Sequence, residues 1–172
     1  MNESVELETQ KQIYLLVSRQ PGLNLSTIAE LLGISIELAR YHLGYLEKNE
    51  LVASSKEGGY LRFYLKGKIG VRDKEFLSLF RQEMLLKIVL FLLKNPSSRH
   101  RDICSFFHMS RSLLSYYLKK LVKRGIIEAV GEGNERRYGV VNKDEIVRFL
   151  IKYEPYKILD GISETWKDFT FR

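Results

Sequence analysis

The residues best suited to chemistry lie between Arg99 and Arg137. Arg111, Ser112, Ser115, Tyr116, Lys119, Lys120 and Lys123 fall in one short stretch that contains no Asp or Glu. On a helix, Leu114, Leu118 and Leu121, spaced four and three apart, turn inward, and the polar residues share the opposite face. A guanidinium at Arg111 can fork onto a guanine edge or a phosphate, while Ser112 and Ser115 are short enough to allow close approach. Lys119, Lys120, Lys123 and Arg124 suit flanking phosphates. Ser110 precedes the stretch, Arg99 and Arg101 open the segment before it, and Arg136 and Arg137 follow where a hairpin would return. Such a set is a surface for a polyanion, and its spacing suits double-stranded DNA. The plainer alternative is a solvated basic face.

Other chemistries find less support. His100, Cys104 and His108 are spaced four apart and are metal-ligand types. Over three helical positions they span about 12 Å, too far for one ion with ligand bonds near 2 Å. No metal and no cofactor is expected. The sequence holds no phosphate-cradling glycine loop, no HExxH and no nucleophile elbow. Asp73, Glu75, Asp144 and Glu145 form no evident acid–base pair, so no enzyme is expected.

An internal repeat supplies the elements that must position these residues. Shifted by 75, Lys11–Lys66 falls on Leu86–Val141 without a gap. Pro21 lands on Pro96, Ser35 on Ser110, Tyr41 on Tyr116, Leu43 on Leu118, Leu46 on Leu121 and Arg62 on Arg137. In the first copy, Ile13, Leu16 and Val17 predict a helix stopped at Pro21-Gly22. A second helix is predicted over Ser26–Leu32, and a third runs from an Ser35 cap to about Asn49 with Leu38, Leu43 and Leu46 inward. Leu51–Ser54 and Tyr60–Leu65 then read as a hairpin. The second copy predicts helices at Met84–Lys94, Arg101–Phe107 and Arg111–Arg124, and strands at Ile126–Val130 and Arg136–Val141. The face of the first copy is a weaker reader. Arg40 is its one strong donor, beside Tyr41 and Tyr45, with Ile36, Glu37 and Gly44 in place of cations. That face suits weak DNA binding or a protein partner equally. Arg137 has a bracing role open to it, since Arg62 recurs at its match.

The pattern Ser35-x-x-Leu38-Ala39-x-Tyr41-His42-Leu43-x-x-Leu46, followed by Leu51-Val52, resembles the recognition-helix signature of ArsR/MarR-like winged-helix regulators. Ser110-x-x-Leu113-Leu114-Ser115-Tyr116-Tyr117-Leu118 repeats it. Two such units in one chain resemble the archaeal tandem winged helix-turn-helix transcriptional regulators. The resemblance implies a mainly α fold with small β-hairpin wings, and sequence-specific binding of promoter or operator DNA. The second recognition helix would enter the major groove, with its wing on the flanking backbone. Winged helices also serve as protein-interaction scaffolds, which is the alternative function.

Domains are expected at 1–70 and 84–142, with a linker helix over 71–83 and a helical tail over 143–172. The linker carries Phe76, Leu79 and Phe80 and is expected to run into the next helix. In the tail, Asn142 or Asp144 would cap a helix bearing Ile146, Phe149, Leu150 and Tyr153. Beyond Pro155, the residues Tyr156, Leu159, Ile162, Trp166 and Phe169 form a second apolar face. So many aromatics would either pack on the first copy or pair with a second chain; a homodimer through the C-terminal helices is the favoured outcome, and contact with the transcription machinery is a further expected partnership. The lone cysteine fits a reducing compartment. The N-terminus lacks the pattern of a signal peptide, and the longest apolar run, Met84–Leu93, is interrupted by Lys87. A cytoplasmic location without membrane contact follows. The net charge is +7. Residues 1–82 contribute 11 basic and 10 acidic side chains, while 84–142 hold 11 and 4, so the excess sits on the second copy.

Overall fold

The computed structural model describes residues 3–57 and 59–153. The chain divides between Ser78 and Leu79 into two compact units. Unit one contains α1 (Glu3–Arg19), β1 (Leu23–Asn24), α2 (Leu25–Leu32), α3 (Ile36–Lys48), β2 (Val52–Glu57) and β3 (Tyr60–Leu65). Helix α4 (Val71–Phe80) spans the boundary. Unit two contains α5 (Glu83–Lys94), β4 (Ser98–Arg99), α6 (His100–Phe107), α7 (Arg111–Lys123), β5 (Ile127–Val130), a single 3-10 turn at Gly133–Glu135, β6 (Arg137–Val140) and α8 (Lys143–Tyr153).

Local signals place the helices of unit one. Beyond α1 the backbone turns at Gly22, whose φ of 81° is open to glycine at little cost. Asn24 Oδ1 then accepts from the Thr27 amide at 2.9 Å and caps α2. Gly33 ends α2 in the left-handed conformation. Ser35 Oγ accepts from the Leu38 amide at 3.1 Å, the cap its position predicts. The sheet order is β1-β3-β2, all antiparallel. Ile13, Val17, Leu23, Ile28, Leu43, Leu46, Val52 and Phe63 form the core. Leu38 departs from expectation and is only half-buried. Ala39, His42, Leu43 and Leu46 are the buried residues of α3. Spacing back from Leu46 by three and then four reaches Leu43 and Ala39, and Leu38 sits about 100° further round.

Unit two repeats this order, and the backbone repeats more closely than the side chains. Three left-handed positions recur at the same 75-residue shift. Gly22 at φ 81° matches Ser97 at 64°, Gly33 at 63° matches His108 at 49°, and Glu50 at 60° matches Gly125 at 63°. Strand registers shift equally: Leu23 faces Phe63 and Ser98 faces Tyr138, while Val52 faces Leu65 and Ile127 faces Val140. Its sheet order is β4-β6-β5.

Several boundaries differ from the sequence reading. The short strands β1 and β4 were not expected, because two residues leave no periodicity to read. The first hairpin extends to Glu57, and the second is shorter, because Gly133–Glu135 adopts a 3-10 turn. The linker helix does not run into the next one. Gln82 is extended, with φ −82° and ψ 100°, and α5 restarts at Glu83. Glu83 suits the positive end of a new helix and pairs with Lys87 one turn on. Asn142 rather than Asp144 caps α8, its Oδ1 accepting from the Glu145 amide at 3.2 Å. Ile146, Phe149 and Leu150 are buried, and Phe149 lies 5.6 Å from Phe80 between ring centroids. Pro155 and the apolar residues Tyr156–Phe169 lie outside the described residues. Among the described residues, no helix is long and apolar enough to cross a membrane.

Candidate nucleic-acid interface

Helix α7 is held from beneath by Leu114, Leu118 and Leu121, all buried, in the spacing the sequence predicts. Ser110 Oγ accepts from the Leu113 amide at 3.3 Å and lies 3.2 Å from Ser112 Oγ. The Ser110 hydroxyl thus serves as the helix cap. Arg111, Ser112, Tyr116, Lys119 and Lys123 are exposed, and α7 contains no acid. Tyr116 is 58% exposed, and its match Tyr41 on α3 is 57% exposed.

Lys120 is turned aside. It is half-buried, and its Nζ donates to Gln82 Oε1 at 2.7 Å. Its match in unit one behaves alike: Tyr45 lines a groove of about 400 Å³ with Leu7, the match of Gln82, together with Tyr14 and Leu51. This position therefore flanks the helix in both units, toward the first helix of each.

The arginines differ in how firmly they are engaged. Arg137 Nη1 donates to the Ser97 carbonyl at 3.2 Å, and Arg62 Nη1 donates to the Gly22 carbonyl at 3.0 Å. Each ties its hairpin to the left-handed residue before β4 or β1, which is the bracing role raised from the repeat. Arg99 Nη2 lies 3.0 Å from Glu135 Oε2, so it is held in an ion pair within unit two. Arg101 is well exposed, with only a long 3.6 Å approach to Asp102. Arg136 is exposed and makes a 3.4 Å contact with the Gly131 carbonyl. Between α7 and the hairpin runs a groove of about 300 Å³ lined by Ser115, Lys119, Lys123, Arg136 and Tyr138. In unit one, Arg40 and Tyr41 are exposed beside Ile36, Glu37 and Gly44.

From sequence, His100 reads only as a metal-ligand type. The structure brings it to α7 instead. His100 Nε2 lies 3.0 Å from Ser115 Oγ, and Nδ1 lies 3.6 Å from Cys104 Sγ. Burial, and secondarily the charge of Arg111, hold its pKa below the ordinary imidazole value of 6.5. His108 stands apart as the left-handed cap of α6. Among the described residues, no group of His, Cys, Asp or Glu is arranged to hold a metal ion. The His100–Ser115 pair had no signal in one copy. The repeat supplied one, since Leu25 and Arg40 occupy the matching positions.

Residues 81–128 match the family model of winged helix-turn-helix DNA-binding domains. That stretch contains α5, β4, α6, α7 and the start of β5. Over 142 residues, 83% of this chain, the sequence is 30% identical to an uncharacterised HTH-type transcriptional regulator of Methanocaldococcus jannaschii. The match covers 35% of that protein, so the chain spans about a third of this relative's length. Among solved structures, a Corynebacterium diphtheriae protein gives a TM-score of 0.33 at 20% identity, covering 77% of this chain and 26% of that one. Streptococcus pneumoniae FabT in complex with DNA gives 0.32 at 15% identity, covering 66% and 76%. Likeness at that level carries no weight for function.

Proposed function

We propose that the chain is a tandem winged helix-turn-helix regulator of transcription that binds double-stranded promoter or operator DNA, without enzymatic activity. The observation that carries this reading is the acid-free basic face of α7, set on the winged helix-turn-helix of residues 81–128. In the proposed complex, α7 enters the major groove. Ser112 approaches base edges from its first turn, and Arg111, Lys119, Lys123 and Arg136 contact flanking phosphates. Arg101 reaches the backbone from α6. The shared element order supports unit one as a second winged helix, contributing through Arg40 and Tyr41. A cytoplasmic homodimer joined by its C-terminal segments, in contact with the transcription machinery, completes the proposal.

Five phosphate contacts, from Arg101, Arg111, Lys119, Lys123 and Arg136, would give a log–log salt slope of about −4.5. Gel-shift titration of the full chain on its own upstream DNA and on random duplex, at two salt concentrations, tests this. Retention of the specific complex at the higher salt supports the regulator. Weak non-specific binding, with a stable protein partner on pull-down, supports a winged-helix scaffold instead. The exposed Ile36, Tyr41 and Tyr45 of unit one are the observation that favours that second reading.

A further inference from the structure

Four residues of unit two differ together from their matches in unit one. His100, Cys104, Arg111 and Ser115 stand where unit one has Leu25, Ala29, Ile36 and Arg40. Three apolar residues and an exposed arginine in unit one are thus replaced by a polar cluster at the base of α7. The imidazole is faced by Cys104 from its own helix, by Arg111 and Ser115 from α7, and by the Tyr138 ring of β6 at 6.3 Å between centroids. On β4, the adjoining Arg99 keeps its guanidinium on Glu135. No carboxylate is among the hydrogen-bond partners of the imidazole in the described residues.

We propose that His100 takes up a proton from solvent when a nucleic-acid phosphate seats against α7, and that the charged ring fixes the Ser115 hydroxyl as a donor toward that nucleic acid. The proposal rests on the DNA reading and deepens it. A neutral imidazole offers one donor and one acceptor nitrogen, so the Ser115 proton is free to point inward to Nε2 or outward. An imidazolium carries N–H on both nitrogens. Ser115 Oγ then accepts from Nε2–H and must turn its own proton outward, while the Cys104 sulfur accepts weakly from Nδ1–H. In the free protein, burial and Arg111 favour the neutral ring. A phosphate near Arg111 offsets that positive charge and favours protonation. Binding and proton uptake are therefore linked, and affinity rises as pH falls.

The test is duplex affinity of the full chain at fixed salt from about pH 5.5 to 8, the range in which imidazoles titrate. Wild-type affinity should rise as pH falls, by up to about tenfold per pH unit where one full proton is taken up. His100→Gln should flatten this dependence, and His108→Gln should retain it. In wild-type protein, NMR titration should show the His100 pKa moving upward when duplex is added, a readout independent of the variants' folding. Unchanged pH dependence in folded His100→Gln, or an unmoved His100 pKa in the complex, would overturn the proposal while leaving the DNA reading intact. Absence of duplex binding at every pH would remove both.

Discussion

Arg136 and Arg137 are neighbours in sequence with different proposed roles. Arg137 spans to the Ser97 carbonyl, so Arg137→Ala should lower thermal stability by about 1 kcal/mol through the lost hydrogen bond and leave the salt slope of DNA binding nearly unchanged. Lys119→Ala and Arg136→Ala should do the reverse, each flattening the slope by about one unit with little change in melting temperature. Melting curves and salt titrations on the same variants distinguish the two roles. The bracing role was legible in the sequence because Arg62 recurs at the matching position. The ion pair of Arg99 with Glu135 was not, because Glu135 sits in a 3-10 turn whereas its match Tyr60 lies in β3. His100 adds a stability prediction. Its folded pKa lies below 6.5, so the unfolded chain binds the proton more readily and stability should fall as pH drops through 6.5. Urea titrations at a series of pH values should show that loss, and it should shrink in His100→Gln.

At the level of elements, the two units share backbone turns more faithfully than residue types. Glycine occupies the left-handed position after α2, whereas His108 occupies it after α6, at φ 49°. His108→Gly should therefore stabilise unit two by about 1 kcal/mol, and Gly33→Ala should destabilise unit one by about as much. Equal effects of opposite sign in denaturant melts would establish that the bend, not the side chain, is what repeats. Ser35→Ala and Ser110→Ala should each cost about 1 kcal/mol as lost caps. The long amphipathic helices and their caps were legible because spacing and cap chemistry are local. The tilt of α3 that leaves Leu38 half-buried depends on what packs beneath it. The break at Gln82 depends on Glu83 starting a new helix, a choice that apolar spacing alone does not reveal.

Across the whole chain, charge is distributed unevenly between units of one design. Residues 1–82 have 11 basic and 10 acidic side chains, and residues 84–142 have 11 and 4. The faces follow suit at two positions, where α7 has Arg111 and Lys119 and α3 has Ile36 and Gly44, while Lys123 is matched by Lys48. That asymmetry was visible from the repeat alone. Which cations remain available was not, since Lys120 turns to Gln82 and Arg99 to Glu135 only in the folded unit. The central claim is that unit two carries most of the affinity for DNA. The most direct test measures duplex affinity against salt for the wild-type chain, for an Arg111→Ala, Lys119→Ala, Lys123→Ala triple variant, and for Arg40→Ala. The triple variant should lose about three units of a slope near −4.5, while Arg40→Ala should lose no more than about one. A triple variant with wild-type slope and affinity would contradict it.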